Sequence, residues 1–130
     1  MKKASIIIIM VCAFGIFGCA KEQYINHPYG EGKGNITFYT DASILLNEYP
    51  MTIKVDQQTI GILTKNYLNF ATDHPNPTEP FCGETNAGLV VNYVGEAGTH
   101  SFNAYGSYGG NSSGSFTITA DQCDKKKIHQ

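Results

Sequence analysis

From residue 34 onward, apolar residues recur at every second position rather than at the three-and-four spacing of a helix face. Ile36 and Phe38 alternate with Thr37 and Tyr39, and Met51, Ile53 and Val55 alternate with Thr52, Lys54 and Asp56. A tight turn at Gln57-Gln58 then returns residues 59–63 as a partner strand. Leu89, Val91 and Tyr93 mark a further strand, and Val90 and Val94 on its other side indicate cover on both faces. His100, Phe102 and Ala104 share a face of the next, and Phe116 and Ile118 carry the last. A period of two is the mark of strands, because successive side chains point to opposite faces of a sheet. Six to seven short strands between Gly-, Asn- and Pro-rich turns predict an all-β fold, a small antiparallel β-sandwich. Two segments break the rhythm. Residues 71–82 hold Pro75, Pro77 and Pro80 and read as a long loop, since proline cannot donate to a ladder. Residues 106–114, Gly-Ser-Tyr-Gly-Gly-Asn-Ser-Ser-Gly, read as a second, flexible loop, and Lys125-Lys126-Lys127 as a solvated end.

The chain opens Met1-Lys2-Lys3 and runs apolar from Ala4 to Gly18. A short basic start, an apolar run and small residues at its end form a secretory signal. The run is too short to span a membrane comfortably, which takes roughly 20 apolar residues. Ile16-Phe17-Gly18-Cys19 resembles the bacterial lipobox, although Phe17 is bulkier than usual at its position. The resemblance implies a diacylglyceryl group on the Cys19 sulfur, cleavage before Cys19 and an acylated N-terminus. An ordinary secretory signal with an incidental cysteine is the alternative. The organisation expected is a lipoprotein signal peptide over 1–18, a flexible tether over 19–33 and a β-sandwich domain over 34–130. The tether is polar and broken by Pro28, Gly30 and Gly32. The expected location is the cell envelope, with the lipid anchor in the outer membrane and the domain on its periplasmic or surface face. Ala20 stands where Asp favours inner-membrane retention in enterobacteria. Lys21-Glu22 resembles part of the charged signal that sends some Bacteroidetes lipoproteins outward.

Beyond residue 18 the chain carries seven lysines, eleven carboxylates and no arginine, a formal charge of −4. Nucleic-acid binding needs a positive footprint, so that class of partner is set aside. Cys12 leaves with the signal and Cys19 takes the lipid. Cys82 and Cys123 are then an even pair in an oxidising compartment, and a disulfide between them is expected. It closes a loop of roughly 40 residues, which the chain-entropy account values at about 4 kcal/mol. Cys82-Gly83-Glu84 offers no second Cys or His at metal-ligand spacing, so no metal and no cofactor is expected.

No catalytic residues are assigned. His100 is in phase with Phe102 and Ala104 and reads as a packed or edge histidine. Asp73-His74 imitates an acid–base pair, but neighbours in a proline-rich loop rarely aim at one substrate atom, and no activated nucleophile accompanies them. Asp121 and Asp124 lack the dense ligand spacing of a calcium loop. The glycines of 106–114 lack the lysine and strand-to-helix context of a phosphate-binding loop. Asn35-Ile36-Thr37 and Asn111-Ser112-Ser113 match glycosylation sequons by coincidence. Tyr105 and Tyr108 are the candidate ligand-binding residues, because loop tyrosines bury area against sugars or proteins at low entropic cost.

The blocks Gly34-Asn35-Ile36-Thr37-Phe38-Tyr39-Thr40, Ile53-Lys54-Val55-Asp56 and Ile60-Gly61-Ile62-Leu63-Thr64 come first. They are followed by Phe81-Cys82-Gly83, Gly98-Thr99-His100-Ser101-Phe102-Asn103-Ala104 and Gly114-Ser115-Phe116-Thr117-Ile118-Thr119 before Cys123. In this order, over roughly residues 34–128, they resemble a group of small Bacteroidetes lipoproteins of uncharacterised function. That group carries a Trp just before the last strand's glycine, where this chain has Ser112-Ser113. The resemblance implies an immunoglobulin-like or transthyretin-like sandwich and no particular activity. The function expected is a non-enzymatic interaction module, lipid-anchored, whose partner is an envelope protein or a glycan. The alternative is a carbohydrate-binding accessory protein of a polysaccharide-uptake system, acting through Tyr105 and Tyr108.

Overall fold

The computed structural model describes residues 25–129, so the expected signal segment and Cys19, the expected lipidation position, lie outside the described residues. Among the described residues seven strands follow in order: β1 (Lys33–Tyr39), β2 (Met51–Val55), β3 (Gln58–Leu63), β4 (Val90–Glu96), β5 (Gly98–Tyr105), β6 (Asn111–Ile118) and β7 (Cys123–Lys127). A single-turn 3-10 helix, Leu46–Glu48, precedes β2. The strands form two sheets, ordered β4-β1-β7 and β3-β2-β5-β6. Every pairing is antiparallel except β1 with β7. The all-β sandwich expected from the alternation is the observed architecture.

Alternation in β2, β5 and β6 sends Met51, Ile53, Val55, Phe102, Ala104, Phe116 and Ile118 between the sheets, where Ile36, Phe38 and Val91 meet them. Phe38 is the centre. Its ring lies edge-on to Phe116 at 5.3 Å and tilted to Phe102 at 5.9 Å. Such pairs add about 0.5–1.5 kcal/mol each beyond area burial. The other face of β1, Asn35, Thr37 and Tyr39, is buried as well. The β3–β4 connection, residues 64–89, folds over it, and its Tyr67 and Leu89 join Tyr39 and Val90 of β4 in a second apolar cluster. The expected loop at 71–82 lies within this longer cover. β4 is covered on both faces only in part: Val90 and Val91 are buried but Val94 is exposed.

Four local expectations are corrected. The β2–β3 turn is Asp56-Gln57, both at positive φ (45° and 73°), and Gln58 already belongs to β3. Two positive-φ residues make the turn whose twist matches a hairpin, and the Asp56 carboxylate holds it by accepting the Ser101 N–H at 2.9 Å. The flexible loop at 106–114 reduces to a turn at 106–110. Residues 111–118 pair with β5 without interruption, and Gly114 lies where a Cβ would meet the Phe102 ring at 2.9 Å. The lysine tail is not a solvated end. It is most of β7, which adds to β1 because Lys125 pairs with Glu79, Lys127 pairs with Asp41, and Ile128 is fully buried. Lastly, 27–33 is not free of the domain. His27 Nδ1 meets the Asp121 carboxylate at 2.9 Å, and the Ala97 and Asp121 N–H groups donate to Gly32 and Lys33 at 2.8 Å.

Cys82 and Cys123 form the expected disulfide, with Cα atoms 5.8 Å apart. It clips the covering loop to the first residue of β7. Peptide mapping without reduction is expected to recover Cys82 linked to Cys123. The double variant Cys82→Ala/Cys123→Ala is expected to lose about 2–4 kcal/mol in a denaturant titration, and an unchanged midpoint would show that the loop holds without its clip.

Candidate functional site

The strand register gives the sandwich two unlike ends. Lys33 pairs with Glu96, Val55 with Gln58, Gly98 with Ile118 and Asn35 with Cys123, so the start of β1 shares an end with the 56–57, 96–98 and 119–122 turns. The N-terminal segment reaches the domain at this end. A Cβ on Gly34 would strike the Thr119 carbonyl oxygen, so the last turn packs directly on β1. The far end holds the β1–β2 connection, the start of the covering loop and the 106–110 turn.

A buried carboxylate organises that far end. Glu48 Oε2 accepts the Gly110 N–H at 3.0 Å, its main-chain carbonyl accepts the Ser107 N–H at 2.9 Å, and Ser107 Oγ donates to the Pro50 carbonyl at 3.0 Å. Gly106 is required here, because a Cβ would run into the Glu48 carboxylate. The β5–β6 turn is thereby fixed against the 3-10 helix. Fixing it leaves Leu45, Leu46 and Tyr108 in solvent, at 65%, 78% and 77% exposure. The covering loop starts from the same end, since the Tyr67 N–H donates to the Thr40 carbonyl just past β1 at 2.8 Å. Its Leu68 and Phe70 are exposed too, Phe70 at 82%. Single exposed apolar residues are ordinary, but Leu45, Leu46 and Tyr108 on one hydrogen-bonded frame make that end a candidate interaction surface.

The two tyrosines named from sequence are placed differently. Tyr108 is at the tip of the turn. Tyr105 is the last residue of β5 and points outward from the four-stranded sheet, opposite Thr52 and Asn111. The Lys54 ammonium lies 5.3 Å from the Tyr105 ring centroid. Around them that face carries Thr52, Asn103, Ser113, Ser115 and Thr117, a hydroxyl- and amide-bearing surface with one aromatic ring. Leu45, Leu46, Leu68 and Phe70 escaped the sequence reading. They fall in segments without periodicity, and only their place among turn residues signalled exposure.

The titratable clusters serve the fold. Tyr67, almost fully buried, donates its hydroxyl to the Glu84 carboxylate at 2.8 Å and accepts from Asn69 Nδ2 at 3.2 Å. Burial, reinforced by Glu84, raises the Tyr67 pKa, which keeps it a neutral donor. His74, its side chain 3% exposed, accepts the Asn76 N–H at Nδ1 and turns Nε2 towards the Tyr67 hydroxyl at 3.2 Å. Phe81 covers the imidazole at 4.3 Å. Asp73 takes no part, so the sequence pair at 73–74 is not a pair in space. The hydrogen bonds of this trio fasten the covering loop to itself. No group of three metal-ligating side chains occurs among the described residues.

His100 is packed, as its phase implies, with its ring stacked on Phe116 at 5.6 Å. Its Nδ1 lies 2.6 Å from Asp56 Oδ2 and its Nε2 lies 2.8 Å from the Glu96 carbonyl oxygen. Two acceptors facing two ring nitrogens are both satisfied only by the imidazolium. The hydrogen bond to Asp56 first, then that to Glu96, raises the His100 pKa, while His100 lowers that of Asp56. No family model, curated protein or solved structure matches the chain.

A raised histidine pKa contributes stability that is complete below the unfolded value of about 6.5 and is lost as pH rises through the folded value. The lowered Asp56 pKa contributes stability that is lost as pH falls below about 4. The wild-type melting temperature is therefore expected to fall as pH is raised from 6 to 9. His100→Gln is expected to flatten that decline, and an equally steep decline in the variant would assign it elsewhere.

Proposed function

We infer that this chain is a lipid-anchored envelope lipoprotein of the outer membrane whose sandwich acts as a non-enzymatic interaction module. The observation that carries the reading is the polarity of the domain. The N-terminal segment, with the lipobox-like Ile16-Phe17-Gly18-Cys19 ahead of it, meets one end of the sandwich. The exposed Leu45, Leu46 and Tyr108 sit on the opposite end, held there by Glu48. Acyl chains on Cys19, each methylene contributing about 0.8 kcal/mol, would hold the protein at the membrane. The far end would then be presented to an envelope protein with an apolar surface of its own, and tethering would raise its effective concentration towards that partner.

A second reading is favoured by one further observation. Tyr105 sits beside Lys54 on a flat face of hydroxyls and amides. Aromatic rings flanked by such groups can hold sugar rings by stacking and hydrogen bonding. This is the carbohydrate-binding accessory of a polysaccharide-uptake system.

Cys19→Ser is expected to shift the protein out of the membrane fraction or stall its processing. Normal cleavage with unchanged membrane retention would mean another anchor. In affinity capture from its own envelope, Leu46→Asp/Tyr108→Ser is expected to lose the captured partner while keeping the wild-type melting temperature. Retention of the partner would move the site elsewhere. Tyr105→Ala is expected to leave capture intact under the protein-partner reading; loss of glycan-array binding in that variant would favour the carbohydrate reading.

A further inference from the structure

The four sheet edges are protected unequally. β3 and β4 meet along one side of the sandwich, where a Cβ on Gly61 would strike Val91 of the opposite sheet, and β3 carries a bulge beside Ile53 and Lys54. β7 carries three successive lysines, and Lys126 turns inward over the Phe102 ring at 5.3 Å. Bulges, edge lysines and inward charges are the devices that keep exposed ladders from pairing with other chains. β6 has none of them. Asn111–Ile118 is one of the two longest strands, pairs with β5 in an unbroken register, and contains no charge, no proline and no bulge. Its middle, Ser113-Gly114-Ser115, is exposed, and among the described residues it has a partner on one side only.

We propose that β6 is a pairing edge for a second copy of this chain, joining antiparallel so that two four-stranded sheets become one of eight strands. The sequence of β6 suits itself. Pairing must keep the outward residues Asn111, Ser113, Ser115 and Thr117 on one face, because a one-residue slip would turn Phe116 and Ile118 to solvent. A two-fold axis at Gly114 then sets Ser113 opposite Ser115 and Asn111 opposite Thr117, and an axis at Ser115 sets Ser115 opposite itself and Ser113 opposite Thr117. Uncharged hydroxyl and amide side chains face one another in both cases, and hydroxyl pairs across a ladder are favourable. Charge selects the same edge. The chain is net negative, with seven lysines against eleven carboxylates beyond residue 18, so two copies repel each other overall, whereas β6 brings no charge to the contact. The interface is isologous, which closes the assembly at two copies instead of propagating it.

The test uses the full chain in its own membranes and after detergent extraction. In Ser113→Cys/Ser115→Cys, mild oxidation is expected to give a dimer through β6 in either register, whereas Thr59→Cys on β3 gives none above collision. In the extracted protein, light scattering is expected to report two copies per particle. Ser113→Lys/Ser115→Lys, which sets like charges across the ladder but leaves the core untouched, is expected to weaken pairing at least about tenfold. A monomeric wild-type particle would overturn the proposal, as would cross-linking at Thr59 equal to that at β6. So would capture of β6 by a different protein, or by residues 20–24 of the same chain.

Discussion

The structure depends on hiding both faces of one strand. β1 cannot leave a face to water: Ile36 and Phe38 point into the core, and Asn35, Thr37 and Tyr39 are buried on the other side. The three-stranded sheet around it is therefore stable only if something covers its outer face. The covering loop, 64–89, is rich in proline and has little regular structure, so it needs local fastenings. The disulfide to β7, the Tyr67–Glu84–His74 cluster and the Thr37 hydroxyl, which accepts the Gly83 N–H at 2.7 Å, are those fastenings. Thr37 also donates to Asn92, so even the polar side chains under the loop are paired. One exception is Asn35 Oδ1, which is buried without a hydrogen-bond partner. The same cover fixes where function can lie, because it seals one broad face and leaves the four-stranded sheet and the far end open.

What was legible in the sequence follows from how each feature is encoded. Strand identity in β2, β5 and β6 was plain because half-buried strands alternate cleanly. The disulfide was plain because Cys82 and Cys123 are the two cysteines beyond the lipobox-like position. β7 was hidden: Cys-Asp-Lys-Lys-Lys has no apolar alternation, and it is a strand because β1 offers a free edge and loop carboxylates offer partners for its lysines. The length of β6 was hidden for a related reason. Ser-Ser-Gly-Ser reads as a loop by composition, yet pairing with β5 supplies its backbone bonds, and Gly114 is there to make room for Phe102.

The candidate surface was half legible. Tyr105 and Tyr108 are exposed as expected, but one belongs to a sheet face and the other to a turn, so they do not form one tyrosine-bearing loop. The leucines beside Tyr108 could not be recognised without Glu48. A glutamate between Leu46 and Pro50 reads as surface, and burial against the Gly110 amide is a tertiary fact with no sequence signature. Pairings between residues far apart, such as Glu48 with Gly110 or His100 with Asp56, lie beyond any local pattern.

The parallel pairing of β7 with β1 bears on when the domain can form. Among the described residues β1 is the first strand in the sequence and β7 the last, and just past β7 the fully buried Ile128 donates its N–H to the Tyr39 carbonyl at 2.9 Å. Contacts between strands far apart in sequence are slow to close, because closing the intervening loop costs entropy before the pairing offsets it. The central strand of the smaller sheet therefore keeps one edge unpaired until β7, more than eighty residues further along the chain, has joined it.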